Sequence, residues 1–393
     1  KPLVAADGIA QETGKYTVHG LLGRGGVGAV HKAHDTDLGR DVAMKFLHEK
    51  YIDEPSILHR FIEEAQIGGQ LQHPGIVPVY ELGMSNERPF FTMKMVKGQT
   101  LAKKLAERPS VAHDRRTFLS IFEDICQPMA YAHARGVVHR DLKPANVMIG
   151  SFGEVQIVDW GVGKVMQSGR AADEELMARQ RSQISIIDTV RSSGDGTQSV
   201  LGSVMGTPAY MPPEQARGDV EVMDERSDVF ALGAILCEIL TGQPPYVGDH
   251  DELIGMAALG KLEDAHARLA ACGAETDLTQ LTTRCLMPAP AARPQSAAQG
   301  AAAIHDHLAA AEKRMHAATA RTIALKRTQK LGIALTAVIA MGLATSLWFW
   351  QEADQATDRE HDARMQAEQS ASKAKTAEHL ADERAEEEIG ERR

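Results

Sequence analysis

Residues 331–350, LGIALTAVIAMGLATSLWFW, contain no charged side chain. No other stretch limits the fold as much, because it suits only a bilayer or the interior of a packed domain. At ~1.5 Å per residue a helix of this length extends about 30 Å, the hydrocarbon thickness of a bilayer. Arg321, Lys326, Arg327 and Lys330 precede it, and Glu352 and Asp354 follow. Full length and charge on both flanks predict a transmembrane helix over 331–350 rather than a buried core helix. Basic flanks stay in the cytoplasm, so the preceding part is expected there and the tail outside. Trp348, Phe349 and Trp350 fall where an aromatic belt would meet the outer interface. Ala340 and Ala344 have the spacing of a close helix–helix contact, which points weakly to a dimer.

The run divides the chain. Residues 1–15 read as a loose leader, polar and without the apolar core of a signal peptide. The first residue is Lys1 rather than Met, as expected of a fragment or processed product. A dense region of mixed patterns covers 16–309, a basic Ala-rich juxtamembrane segment covers 310–330, and a polar tail covers 351–393. That tail, rich in Ala, Glu, Lys and Arg, is expected to be a helix, a weak coiled coil or disordered. A net charge of −10 excludes the basic face of a nucleic-acid binder. Cysteines 126, 237, 272 and 285 contain no C-x-x-C pair, which predicts free thiols rather than a disulfide framework or zinc site.

From Tyr16 to Leu47 the sequence alternates, breaks at glycines and alternates again, predicting three strands. Gly23, Gly25 and Gly28 form G-x-G-x-x-G, followed by Val30. Glycine lets backbone lie close to phosphate oxygens. The same spacing occurs in dinucleotide-binding turns, but those place a helix after it, and here a strand follows. The reading is therefore a glycine-rich hairpin lid. Lys45 ends V-A-x-K at 42–45 on an apolar strand, where an ammonium needs an anionic partner. Residues 56–71 suit a helix carrying Glu64, and a Lys45–Glu64 pair would hold the ammonium at nucleotide phosphates. The neighbouring Glu63 is expected to be a surface charge.

The segment HRDLKPAN, 139–146, is followed by DWG at 159–161 and by PPE at 212–214. With the glycine loop and V-A-x-K, these motifs resemble the protein kinase family in order and spacing. The resemblance covers about residues 16–305. It implies an α+β, two-lobed kinase fold, with an N-lobe over 16–96 and a C-lobe over 97–309. Asp141 would be the base that orients the acceptor hydroxyl, and Lys143 would neutralise charge at the γ-phosphate. Asn146 and Asp159 would hold Mg²⁺, with Mn²⁺ as an alternative. ATP would lie against Leu22, Gly23, Arg24, Gly25, Gly26, Val27, Gly28, Ala29, Val30, Ala43, Lys45 and Glu64. Met93, Lys94, Met95 and Val96 would form the adenine hinge, Met93 as gatekeeper. Thr207 and Pro208 in GTPAYMPPEQARG would belong to the peptide-substrate loop, with Thr207 near Asp141. Glu214 would pair with Arg293, and Asp228 would anchor the catalytic-loop backbone. Lys143 two residues after Asp141 resembles serine/threonine kinases, and a kinase-like domain followed by one transmembrane helix resembles bacterial membrane-anchored serine/threonine kinases of eukaryotic type.

Two departures stand out. Trp160 replaces the Phe usual in this family, and Gly68 stands where a larger apolar side chain is common. Trp160 is expected to fill the space above Gly68. The interval between Asp159 and Glu214 is long, chiefly through a Ser-rich insertion at 165–204. It reads as an activation loop phosphorylated in trans, with Thr197, Ser199 and Ser203 as the favoured sites. HDH at 305–307 is expected to be solvated. The resulting expectation is an ATP-Mg²⁺-dependent serine/threonine kinase acting on protein substrates from a single-pass anchor in the cell membrane. It would work as a homodimer during autophosphorylation and bind no nucleic acid. A pseudokinase scaffold, binding nucleotide without catalysis, is the alternative. A small-molecule kinase is disfavoured by 206–218.

Overall fold

The computed structural model describes residues 11–161, 163–165 and 206–391. It divides into two units, Lys1–Ala311 and Glu312–Arg393.

The first unit begins with a six-stranded antiparallel sheet. Its strands are β1 (Gln11–Thr13), β2 (Tyr16–Arg24), β3 (Gly28–Asp35), β4 (Arg40–Leu47), β5 (Val79–Ser85) and β6 (Arg88–Lys94), in the order β1-β2-β3-β4-β6-β5. The three strands expected over 16–47 are β2, β3 and β4. Along β4, side chains alternate between two cores. Val42, Met44 and Phe46 pack with Tyr16, Val18, Ala33 and Phe90. Leu47 joins Phe61, Ala65 and Phe91, with Val79 and Met93 packed at the edge. The same alternation turns Lys45 toward α1 (Pro55–Gln70), which supplies Phe61 and Ala65. Gly28 has no substitute here, because a Cβ would strike the Phe46 carbonyl oxygen.

Helices dominate the rest of this unit: α2 (Leu101–Glu107), α3 (Arg115–Ala134), α4 (Pro213–Ala216), α5 (Glu225–Thr241), α6 (His250–Leu259), α7 (Glu263–Ala271) and α8 (Thr276–Cys285). Helix α5 is apolar on nearly every side, and such a helix belongs at the centre of a core. Asp224 caps its start, and Gly242 ends it in the left-handed region at φ 85°. The last carbonyls of a helix need partners from beyond it, and the Gly242 N–H takes that of Glu238 at 2.8 Å. Arg108 donates to those of Ile239 and Glu238 at 2.8 and 2.9 Å. Short strands fold between the helices. β7 (Gly98–Thr100), β9 (Val147–Gly150) and β10 (Val155–Ile157) form one small sheet, and β8 (Val137–Val138) pairs with β11 (Lys164–Val165).

Helix α9 (Ala297–Glu391) starts against this unit and continues into the second. Here the solvated HDH needs correction. His307 is buried and bonds Asp277 Oδ2 at 2.7 Å, while the exposed His305 meets Glu123 Oε1 at 3.0 Å. Residue 307 faces α8 because the helix turns it inward, which an Ala-rich sequence does not reveal. Glu63 is a second correction, being 4% exposed rather than a surface charge. In the second unit the 331–350 run is helical and exposed throughout, not buried among the described residues. It is long and apolar enough to cross a membrane. The tail is helical to Glu391. All four cysteines are free thiols.

Candidate active site

Strand β4 and helix α1 bring the first cluster together. Lys45 Nζ donates to both oxygens of Glu64, at 2.6 and 2.7 Å, and stands 3.5 Å from Asp159 Oδ1. Burial works against the ammonium, yet the charges of Glu64 and Asp159 raise its pKa above the usual lysine value. Burial pushes the Glu64 carboxyl up to about 7, Asp159 adding to the rise and Lys45 opposing it. Asp159 keeps about half of its side chain open to the cleft. Partial desolvation would raise its pKa, but Lys45, His139 and Lys143 hold it below the ordinary carboxylate value.

The second cluster is built on a bent backbone. Arg140 and Asp159 both lie in the left-handed region, at φ 67° and 65°, a conformation that a side chain makes costly. Asp228, at the start of α5, holds the first bend. Its carboxylate accepts the backbone N–H groups of His139 (2.8 Å) and Arg140 (2.9 Å) and the His133 ring at 2.8 Å. Burial would raise this carboxyl, but the His133 bond and the two histidines hold it low, so it stays an acceptor. Asp141 then reaches Thr207 and Lys143. Thr207 Oγ1 donates to Asp141 Oδ1 at 3.0 Å, and Lys143 Nζ donates to Asp141 Oδ2 at 2.7 Å and to Thr207 Oγ1 at 2.5 Å. Asn146 Nδ2 donates to the Asp141 carbonyl at 2.8 Å, leaving its amide oxygen as an acceptor.

His139 joins the clusters. The Asp141 N–H donates to Nδ1 at 3.3 Å, and Nε2 lies 3.2 Å from the Val158 carbonyl. The ring thus bridges the Asp141 backbone and the segment that leads into Asp159. Trp160, 4% exposed, lies against it with ring centres 4.7 Å apart, and its Nε1 has no partner among the described residues. Trp160 does not fill the space above Gly68. A Cβ on Gly68 would stand 2.6 Å from Val79 Cγ2, and beyond the helix itself Val79 supplies the only atoms among the described residues within 4 Å of it. The strand side chain, not the indole, takes that volume.

The remaining sequence candidates frame these clusters. The loop from Leu22 to Gly26 is exposed, while Gly28 and Ala29 are buried. Its tip is tied by Gly25 N–H to the Gly28 carbonyl at 2.8 Å, and the Gly25 carbonyl lies 3.0 Å from His48 Nε2. Ala43 pairs with Met93 across β4 and β6, and Lys94 N–H donates to the Pro78 carbonyl at 3.1 Å. Met95 and Val96 follow, half-buried. Pro208 is buried beside Thr207. Glu214 Oε1 and Oε2 accept from Arg293 at 2.7 and 2.8 Å, and Ser227 adds a bond at 2.9 Å. Thr197, Ser199 and Ser203 lie outside the described residues. Sequence reasoning missed His133, Val79, His48, Gln215 and the Tyr210–Glu238 bond of 2.7 Å. His133, Val79, His48 and Glu238 carry no motif, Tyr210 and Gln215 lie within 206–218 with no role assigned to them, and only tertiary contact reveals these partners.

Asn146 and Asp159 offer an amide oxygen and a carboxylate, hard donors suited to Mg²⁺ shared with phosphate oxygens. Among the described residues no cluster of three or more His, Cys, Asp or Glu forms a metal cage of its own. Few protein ligands are what a magnesium site completed by nucleotide phosphates requires.

A strand lysine held by a helix glutamate, two separated aspartates and a glycine-rich hairpin thus come together on a two-lobed fold. The protein kinase domain family matches residues 16–307, and the chain belongs to that family. It is 38% identical over 245 residues to the serine/threonine-protein kinase PknD of Chlamydia muridarum (strain MoPn / Nigg), covering 59% of this chain and 25% of that protein. The PknD of Protochlamydia amoebophila (strain UWE25) is 35% identical over 249 residues, covering 61% and 24%. These relatives support the eukaryotic-type serine/threonine branch. The chain spans about a quarter of the length of the relatives it matches.

Proposed function

We propose that this chain transfers the ATP γ-phosphoryl group to serine or threonine hydroxyls of proteins, from a cytoplasmic domain anchored by the 331–350 helix. The observation that carries this reading is Thr207 Oγ1 within 3.0 Å of Asp141 Oδ1, with Lys143 bridging the two. A hydroxyl is thereby accepted beside the expected base by a carboxylate and an ammonium already in position. Phosphoryl transfer needs alignment and charge neutralisation more than covalent chemistry.

In this mechanism Asp141 accepts the hydrogen bond of the incoming hydroxyl and orients its oxygen for in-line attack. Lys143 and Lys45 supply positive charge at the γ-phosphate and at the α- and β-phosphates. Glu64 fixes Lys45 against thermal wandering. The glycine loop covers the phosphates, and the Lys94 and Val96 backbone meets the adenine edge. Magnesium held by Asn146 and Asp159 would neutralise phosphate charge when bound. The pseudokinase alternative loses support because Lys45, Asp141, Asn146 and Asp159 are all present and mutually held. Autophosphorylation in trans at Thr197, Ser199 or Ser203, between two anchored copies, belongs to the same proposal.

The test is ATP-Mg²⁺ transfer by the full chain in vesicles, with phosphosites mapped by mass spectrometry. Asp141→Ala is expected to abolish transfer while ATP binding survives. Undiminished transfer by that variant would refute the reading. Protease added outside sealed vesicles separates the two orientations.

A further inference from the structure

Helix α4 approaches the catalytic loop from the side that carries the peptide-substrate segment. Its Gln215 is 6% exposed, and its Nε2 donates to the Arg140 carbonyl at 2.7 Å. We propose that Gln215 is a positioning residue for Asp141, fixing the orientation of the Arg140–Asp141 peptide unit. The inference rests on the reading of Asp141 as the group that orients the acceptor hydroxyl.

The geometry makes this peptide unit the weak point of the loop. Arg140 has φ 67°, a dihedral that belongs to the preceding peptide, while rotation of the Arg140–Asp141 unit runs about the Arg140 ψ and the Asp141 φ and is not fixed by that bend. That rotation would swing the Asp141 side chain away from Thr207 and Lys143. Asp228 cannot prevent it, since its bonds go to the His139 and Arg140 N–H groups, on the preceding side. The Arg140–Asp141 unit is held instead at its two ends. His139 Nδ1 accepts the Asp141 N–H at a long 3.3 Å, and Gln215 takes the carbonyl at a short 2.7 Å. The shorter bond therefore comes from α4.

A second feature shows that the surroundings accommodate this contact. Gly206 has φ 120°, and a Cβ there would stand 2.8 Å from Gln215 Nε2 and 3.3 Å from the Arg140 carbonyl oxygen. Only glycine leaves the amide room to reach its acceptor. The neighbouring Glu214 is locked to Arg293, so α4 presents Gln215 from a fixed base. A protein substrate that docks on this segment and the base that receives its hydroxyl then share one hydrogen bond. Misplacing a catalytic group by about 1 Å can cost on the order of 100-fold in rate.

The test uses the full chain in vesicles, with a Ser/Thr peptide as acceptor. Gln215→Met keeps length and volume but removes the donor. It is expected to lower kcat at least tenfold, with the ATP Kd within twofold and the melting temperature within about 3 °C of the parent. Gln215→Glu sets a carboxylate against the Arg140 carbonyl and is expected to lose more at pH 8. Its activity relative to the parent should recover on acidification, because a protonated Glu can donate. A kcat within twofold of the parent in both variants overturns the proposal. So does a parallel fall in kcat, ATP affinity and melting temperature, which makes Gln215 a packing residue. A parent inseparable from Asp141→Ala would sink the kinase reading itself, and this inference with it.

Discussion

Val79 occupies the volume that a side chain at position 68 would need, its Cγ2 2.6 Å from where a Gly68 Cβ would be. Strand β5 and helix α1 therefore touch backbone to side chain, and this contact backs the helix that carries Glu64. Gly68→Leu must displace one of them, and overpacking of this kind costs roughly 1–3 kcal/mol. Because α1 is the partner of Lys45, the damage should appear as weaker ATP binding by about tenfold, measured by nucleotide titration. Trp160→Phe should leave ATP binding within about twofold, since Val79 already fills the space. A large loss of ATP binding in Trp160→Phe would return that role to the indole.

The Lys45–Glu64 pair predicts a pH limb. Glu64 has its pKa raised to about 7, so it is a carboxylate above that pH and increasingly neutral below it. A neutral Glu64 no longer draws the ammonium into place. Accordingly kcat/KM for ATP, which reports the free enzyme, should be flat above pH 7 and fall by up to about tenfold per unit below it. Glu64→Gln should be slower at pH 8 and lack this limb. Persistence of the limb in Glu64→Gln would assign it to another group.

Asp228 accepts three bonds inside the core, so its replacement should be severe. Asp228→Ala strands two backbone N–H groups and the His133 ring, at about 1–3 kcal/mol for each buried donor left unmade. His133→Ala removes one bond and a ring, and should cost less. Urea denaturation of both variants gives the order, and an Asp228→Ala protein as stable as the parent would contradict the network.

Glu214 and Arg293 are both essentially buried, 1% and 2% exposed. Glu214→Ala leaves a guanidinium without its carboxylate, and breaking a buried pair in this way costs about 3–5 kcal/mol. Replacing both residues, as in Glu214→Leu with Arg293→Met, should recover part of that loss, because the uncompensated charge disappears. Thermal melts of the single and double variants provide the comparison.

Much of the site could be read from one dimension because its chemistry is carried by rare residue types at fixed spacing. Lys45, Asp141, Asn146 and Asp159 belong to motifs, and a strand's alternation already turned Lys45 away from Met44 and Phe46. The partners assigned to Glu214, Asp228 and Thr207 likewise followed from the family pattern. Supporting groups were less legible. His133 sits in an ordinary amphipathic helix, Gln215 lies within 206–218 without a role the pattern names, and Val79 looks like any strand valine. Their roles arise from contacts between segments far apart in sequence, where no local pattern marks them. Trp160 and Gly68, read as departures from the family pattern, were wrongly linked, because the chain position of the filling side chain was not visible. His307 failed for a related reason, since an alanine-rich helix gives few cues to which face is covered.

Asp228 bonds the His139 and Arg140 backbone across 89 and 88 residues of chain, and Glu214 meets Arg293 across 79. Loops of that length close late, because their entropy must be lost before the contacts are gained. The bend at Arg140 cannot be formed in advance by its own neighbours; it waits for α5. Chain synthesis thus produces the nucleotide-side sheet well before the acceptor side can take shape. Lys45 and Glu64, by contrast, meet across only 19 residues, so the nucleotide side depends on a much shorter loop closure.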